Sequence, residues 1–348
     1  MKRFKSIVIA ALAVVIGVAY LLPAASTSAA SSASLSIAPK KNYVVDPGES
    51  IEDTLMIRNL DAASPLELSL RVVDFSFTDD GGTPKLFLDP NAAQTTWSLK
   101  PFLSVPKSVT IPPGSSESVK LNVAIPKGHG AGSYYSAIVY SSGAPDGGNV
   151  GLSASGVTLV FTSIPGDVNE DLKLEKMGPY RASNYMPSIT FAEPQMIGYT
   201  LKNNGNVTEG PVGSITLRNL FGNEQVINNV NPNGSLALIG QSRTFTSCIK
   251  LKTENVELGG SESSAKTCTE PGLWPGFYSV SLNLFYGQNG NLTKEIVGNT
   301  WFIYLPLWFI IVLLVVIAIA AYFIRRLVLK IRGFKQGGGR SRKMNFRR

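Results

Sequence analysis

Between residues 35 and 300 the chain alternates apolar and polar positions with a period of two. Leu66, Leu68, Leu70 and Val72 alternate with Glu67, Ser69 and Arg71, and Val119, Leu121, Val123 and Ile125 alternate with Lys120, Asn122 and Ala124. The pattern recurs at Ile197, Tyr199 and Leu201 and at Tyr278, Val280, Leu282 and Leu284. A period of two puts successive side chains on opposite faces of a strand, one buried and one wet. Two stretches, Ala137 to Tyr140 and Val157 to Phe161, are apolar on both faces and predict central strands. Asp46-Pro47-Gly48-Glu49 and Pro112-Pro113-Gly114-Ser115 place proline and then glycine where a type II turn needs a fixed φ followed by a positive one. Asn233-Gly234, Asn289-Gly290 and Gly81-Gly82 mark further turns. The prediction is an all-β chain of two Ig-like β-sandwiches, residues 31–165 and 166–300, with the boundary near Ile164-Pro165-Gly166-Asp167. Gly132-Ser133-Tyr134-Tyr135 and Gly276-Phe277-Tyr278 form a weak echo between the two units, as expected of late strands that open on glycine and an aromatic.

At both ends the alternation gives way to unbroken apolar runs. Trp301 to Ile324 carries no charge and is long enough to cross a hydrocarbon core of about 30 Å, so a single transmembrane helix is predicted over 301–324. Arg325, Arg326 and the rest of the tail 325–348 are basic with no acid, which under the positive-inside rule makes the tail cytoplasmic and the preceding residues extracellular. Trp301, Tyr304 and Trp308 are predicted at the outer membrane interface, with Arg325 and Arg326 at the inner one. At the start of the chain, Lys2, Arg3 and Lys5, the apolar Ile7 to Leu22 and the small residues Ser28-Ala29-Ala30 read as a signal peptide over 1–30. An uncleaved anchor is the alternative, and either exports the same segment.

The net charge of +8 and pI near 9.3 dissolve once the compartments are separated. Residues 31–300 hold 19 Lys/Arg against all 24 Asp/Glu, a mildly acidic soluble surface, while the basic residues concentrate in the tail beside anionic lipid. Nucleic acid is therefore not a predicted partner. Cys248 and Cys268 are the only cysteines and both lie in the exported part, which predicts one disulfide at the base of a polar, Gly/Ser-rich loop.

The sequence carries no constellation that specifies an enzyme, a metal or a cofactor. His129 is the only histidine and sits between Gly128 and Gly130, the setting of a solvated loop residue rather than a general base. Asp74, Asp79, Asp80 and Asp89 lack the spacing of a calcium loop and read as a polar hairpin. Trp97, Phe102, Tyr134, Tyr135 and Tyr140 read as core rather than as sugar-stacking residues. Asn206-Val207-Thr208, Asn233-Gly234-Ser235 and Asn291-Leu292-Thr293 match the glycosylation tripeptide, to which no role is assigned.

The strand from Ala38-Pro39 to Asp46-Pro47-Gly48, the stretch Thr95 to Ile125 with Pro126, Gly132-Ser133-Tyr134-Tyr135-Ser136-Ala137-Ile138, and a terminal helix with a basic tail together resemble the WxL-interacting proteins of Gram-positive cell surfaces. The resemblance runs over about residues 35–165, and the second half looks like a general bacterial Ig-like module. It implies a membrane-anchored surface protein whose first domain binds peptidoglycan or another envelope polymer and whose second engages a surface protein. It names no ligand-binding residue. The alternative from another class is an envelope chaperone or assembly factor that acts by strand addition, as PapD-like sandwiches do.

Overall fold

The computed structural model describes residues 35–77, 83–89, 91–142, 153–258, 261–287 and 292–337. The signal segment, Asp79, Asp80, the Gly81-Gly82 and Asn289-Gly290 turns, Asn291 and the tail beyond residue 337 lie outside the described residues. The described residues are all-β up to a single C-terminal helix.

The first sandwich pairs a four-stranded sheet with a five-stranded one. In the smaller sheet, β1 (Leu35–Ser36), β3 (Ser50–Asn59), β9 (Ser116–Ala124) and β7 (Leu103–Ser104) lie side by side in that order. The larger runs β2 (Lys40–Val44), β11 (Ser153–Ile164), β10 (Gly132–Ser142), β4 (Leu66–Val73) and β8 (Ser108–Ile111). The period-two residues pack between them: Leu55, Ile57, Leu66, Leu68, Leu70, Val119, Leu121 and Val123 are buried in one cluster with Ile138 and Tyr140. Each such side chain taken out of water contributes roughly 1.5–3 kcal/mol. Both Pro-Gly turns form as read: Asp46 O accepts from Glu49 N at 3.0 Å and Pro112 O from Ser115 N at 3.2 Å, with Gly48 and Gly114 at φ +91° and +64°. A small ribbon, β5 (Phe75–Phe77) and β6 (Pro84–Leu86), hangs beside the larger sheet.

The second sandwich repeats the plan. Its sheets are β13 (Asn184–Tyr185), β12 (Leu172–Arg181), β15 (Met196–Asn203) and β18 (Ser242–Cys248), and β14 (Ile189–Thr190), β22 (Lys294–Tyr304), β21 (Gly276–Tyr286), β16 (Val212–Asn219) and β17 (Glu224–Asn228). Each five-stranded sheet is antiparallel except at one edge, where β2 lies parallel to β11 and β14 parallel to β22. The echo between the halves has a physical cause. Gly132 and Gly276 open β10 and β21 at φ +141° and +147°, and the tyrosine two residues on turns back to bond the carbonyl four residues before it. Tyr134 Oη donates to Gly130 O at 3.2 Å and Tyr278 Oη to Trp274 O at 2.8 Å. This is the tyrosine corner of Ig-like sandwiches, formed twice.

β10 is buried from Gly132 through Tyr140, more than one sandwich core explains. Its outward-facing residues Tyr135, Ala137 and Val139 join Val73, Phe75 and Phe161 in a separate cluster, covered by Leu238 and Ile239 from the second sandwich. Polar contacts run along the same seam. Ser133 N donates to Asn206 O at 3.0 Å, Thr208 N to Ser133 Oγ at 3.0 Å and Phe77 N to Gln241 Oε1 at 3.2 Å. Gly132 makes this approach possible: a Cβ built there would lie 2.6 Å from the Asn206 carbonyl oxygen and 3.2 Å from Trp97. The Asn206-Val207-Thr208 tripeptide is thus a joint between the halves.

The helix departs from its sequence reading. Trp301 to Tyr304 are not helical but finish β22, paired residue for residue with Ser279 back to Gly276. The apolar run continues across the junction because Phe302 and Tyr304 alternate into the second core, so uninterrupted hydrophobicity hid a change of period. Helix α1 (Leu307–Gly337) begins only after Pro306, whose carbonyl accepts from Phe309 and Ile310. Its apolar part, Leu307–Leu329, has a mean hydropathy of 3.1 and meets the length and composition of a membrane span. The second unit therefore extends to Tyr304. Tyr304 is a core residue rather than an interfacial one, Trp301 sits half-exposed on the outer sheet face, and Trp308, Arg325 and Arg326 fall on α1.

Cys248 and Cys268 are bonded, with Cα atoms 5.3 Å apart, and staple the base of a hairpin of β19 (Leu251–Leu258) and β20 (Ser261–Cys268). Closing a loop of 20 residues stabilises by about 3 kcal/mol in the chain-entropy account. Cys268→Ser is expected to lower the urea midpoint by a corresponding amount, read by tryptophan fluorescence. Gly132→Ala is expected to destabilise by about 2 kcal/mol or more, because neither its backbone angle nor its space admits a Cβ. Faster proteolysis of the 165–171 connection should report the loosened joint.

Candidate functional site: the cleft between the sandwiches

Where the two sandwiches meet they leave a concave cleft of 290 Å³, lined from the first by Lys40, Asn42, Tyr43, Val44, Phe161 and Ser163 and from the second by Thr208, Glu209, Gly210, Leu236 and Gly287. β2 supplies its floor. On one side of that strand Lys41 Nζ and Tyr43 Oη each lie 2.7 Å from Asp53 Oδ2, which ties β2 to the smaller sheet. Those bonds, led by the one from Lys41, hold the Asp53 carboxyl down at about 2. The alternation then sends Lys40, Asn42 and Val44 the other way, toward the second sandwich.

Lys40 Nζ stands 5.0 Å over the Phe161 ring. Burial lowers its pKa, and the nearby Arg243 guanidinium pushes in the same direction. Arg243 is itself buried, lying 4.5 Å over Phe77 and 5.2 Å over Phe245 with Nη1 donating to Leu236 O at 2.6 Å. Arg243 packs against the ribbon of the first half and holds the 236–239 loop in place.

The opposite wall carries the chemically unsettled group. Glu209 is fixed by reciprocal backbone bonds with Ala237, at 3.2 and 2.7 Å, in the segment entering β16. Its residue is only 2% exposed, yet Oε1 has no hydrogen-bond partner. Burial raises its pKa to about 7, the Glu170 carboxylate adds to the rise, and the Gly287 N–H and Lys294 pull back. A buried carboxyl with an unmet oxygen is costly unless something completes it. Lys40 lines the same cleft from the first sandwich, so the cleft offers a cationic donor and a buried carboxyl in a largely polar frame. Such a frame suits a peptide-like group that carries both an N–H or amine and a carboxylate or carbonyl.

A larger trough of 740 Å³ lies on the open side of the second sandwich, between the edge strands β17 and β18, lined by Asn228, Asn229, Asn231 and Asn233 with Thr244, Thr246 and Leu251. Among the described residues β18 pairs with β15 on one side and turns its other edge to this trough.

Among the described residues, the positions weighed for chemistry in the sequence are engaged in packing and turns. Asp74 is buried as a structural acceptor, taking Ser98 Oγ at 2.6 Å, Ser136 Oγ at 3.1 Å and Thr95 N at 3.1 Å. His129 is half-buried, its ring edge-on to Phe102 at 4.8 Å and Tyr134 at 4.6 Å, and so belongs to the packing of its loop rather than to open solvent. Tyr134, Tyr135 and Tyr140 are buried as read, with Trp97 against Tyr134. Among the described residues no cluster of three or more His, Cys, Asp or Glu is arranged to hold a metal ion. Lys40 and Glu209 drew no attention in the sequence, since a lone lysine and a lone glutamate 169 positions apart carry no spacing signal.

No family model matches this chain, and no curated protein matches it in sequence. Among solved structures it is similar to the class 5 fimbriae chaperone CfaA, at 14% identity over 79% of this chain and 100% of that one, with a TM-score of 0.34. It is similar also to the Pseudomonas aeruginosa CupB2 chaperone (12% identity, 76% and 100% covered, TM-score 0.33) and to the E. coli chaperone DraB (14%, 76% and 96%, TM-score 0.32). Likeness at this level carries no argument about function; the strand order and register described above establish the architecture.

Because the raised pKa of Glu209 favours the protonated folded state, stability is greatest below its ordinary value of 4.5 and is lost as pH rises toward about 7. The loss is on the order of 3 kcal/mol at full ionisation. Thermal unfolding followed at pH 5 and pH 8 should show a lower midpoint at the higher pH. Glu209→Gln should remove most of that difference.

Proposed function

We propose that this chain is a single-pass envelope protein, without catalytic function, that holds two β-sandwiches outside the membrane and recognises a peptide-bearing partner in the cleft between them. The observation that carries this reading is Glu209, nearly wholly buried with one carboxyl oxygen unmet, on the wall of a cleft that also presents Lys40. The partner class is a cell-envelope polymer with peptide substituents, peptidoglycan above all, or an exposed segment of a surface protein. The resemblance of residues 35–165 to WxL-interacting proteins supports the same assignment. The orientation follows from the basic residues that succeed the apolar part of α1, which belong on the cytoplasmic side. Modest affinity is enough, since anchoring in the same envelope raises the effective concentration of the partner.

The detergent-solubilised full chain should sediment with purified sacculi. Lys40→Ala and Glu209→Gln should each reduce the bound fraction about tenfold or more, whereas Val297→Ser, on an exposed strand face away from the cleft, should leave it unchanged. Undiminished binding in both cleft variants rejects the cleft as the site.

The second reading, strand addition, is favoured by the trough alone, where the edge of β18, unpaired among the described residues, meets an Asn-lined trough. Capture of an extended peptide, undisturbed by the cleft substitutions, would transfer the assignment there. Topology has its own test: protease applied to wall-stripped cells should remove both sandwiches and spare a C-terminal tag, while loss of the tag would reverse the orientation.

A further inference from the structure

We infer that the end of the second sandwich nearest α1 is itself a lipid-binding surface, which dips an apolar rim into the interface of the bilayer that α1 crosses. The inference rests on the reading of α1 as a membrane span and goes beyond it, because the residues concerned are on separate loops and strands.

The register sets their height. Tyr304, the last residue of β22, is level with Gly276 on β21 and with Thr190 on β14. Leu305 and Pro306 alone separate it from α1, so the helix starts within about 10 Å of that level. Two rows back, Asn219 of β16 stands level with Tyr278, which pairs with Phe302. The β16–β17 hairpin therefore points its tip, Leu220-Phe221, toward the same plane. Trp274 precedes Gly276 by two residues and Phe191 follows Thr190 directly, so both belong to this end as well. Leu220, Phe221 and Trp274 are 72%, 82% and 75% exposed, and Phe191 is also exposed. Phe277 and Trp301 stack at 6.0 Å on the outer sheet face just behind them.

Nothing in the local fold calls for apolar residues at the hairpin tip. The turn is built by other groups: Asn219 Oδ1 accepts from Phe221 N and Asn223 N, each at 3.0 Å, Gly222 N donates to Asn219 O at 3.0 Å, and Gly222 supplies a φ of +85°. Leu220 and Phe221 are left free to face solvent, and polar side chains would serve the turn as well. An exposed group of large apolar and aromatic side chains marks an interaction surface. Gathered beside the root of an apolar helix, its nearest occupant is lipid, and Trp and Phe at such a depth are favoured at the membrane interface. The strand ladder places these residues in that plane whether or not any other partner is present, which selects the bilayer over a second copy of the chain or a soluble protein.

Spin labels on the full chain in phospholipid vesicles provide the test. Both native cysteines are in the disulfide, so Phe221→Cys, Val297→Cys and Ile317→Cys each add one thiol. Collision with oxygen against an aqueous nickel reagent reports depth. The label at 317 should lie in hydrocarbon, that at 221 in the interfacial region, and that at 297, five rows up the same sandwich, in water. A label at 317 in hydrocarbon with 221 fully in water overturns the lipid rim and leaves the span intact. A label at 221 shielded from both reagents indicates a protein contact and also overturns it. A label at 317 in water rejects the span itself. A serine pair at Leu220 and Phe221 provides a second readout: in vesicles it should increase the nickel accessibility of a label at Trp274→Cys at least twofold, and no change counts against the rim.

Discussion

The fold depends on covering the outer face of one sheet. A sandwich ordinarily buries one face of each sheet and leaves the other wet, but the larger sheet of the first unit is apolar on both sides along β10 and β11. Left open, Tyr135, Ala137, Val139 and Phe161 would expose a contiguous apolar patch. Leu238 and Ile239 close it from the second unit, with the β5–β6 ribbon beside them. The two sandwiches are thus joined by hydrophobic burial, trimmed by a few polar bonds, rather than strung on a flexible linker. The joint also determines where the cleft lies and why Glu209 is buried in it: the loop that covers β10 is the one whose Ala237 clamps Glu209.

Much of this was legible in the order of residues. Period-two runs found the strands, Pro-Gly pairs found two turns, and the Gly-aromatic echo marked the tyrosine corners. Cysteine parity anticipated the disulfide. Two things were not legible, for physical reasons. The end of β22 merges with the helix because a strand that alternates Trp, Phe, Ile and Tyr shows no polar residue at its surface positions, so composition alone runs straight through. The double-faced apolarity of β10 was taken as a property of a central strand, whereas its second cover comes from residues some hundred positions away. Contacts of that separation leave no local trace.

The cleft was invisible for the same reason. Lys40 on β2 and Glu209 before β16 line one cleft only because the joint closes, and each alone reads as an ordinary surface charge. Local chemistry could have flagged Glu209 through its apolar and small neighbours Val207 and Gly210-Pro211-Val212, but that signal is common in strand-entry loops.

The short passage from β22 into α1 has a mechanical consequence. Under the proposed anchoring, a pull on the two sandwiches would reach α1 through β22, loaded along its own axis from Tyr304. That strand is held by an antiparallel ladder to β21 over its whole length, from Lys294 to Tyr304, and by β14 on its other side near the exit. Tension along a strand clamped in this way loads its ladder bonds together, in shear, rather than parting them one at a time. With only Leu305 and Pro306 between sheet and helix, little slack intervenes, so the joint would pass force between the sandwich and α1 almost as a rigid strut.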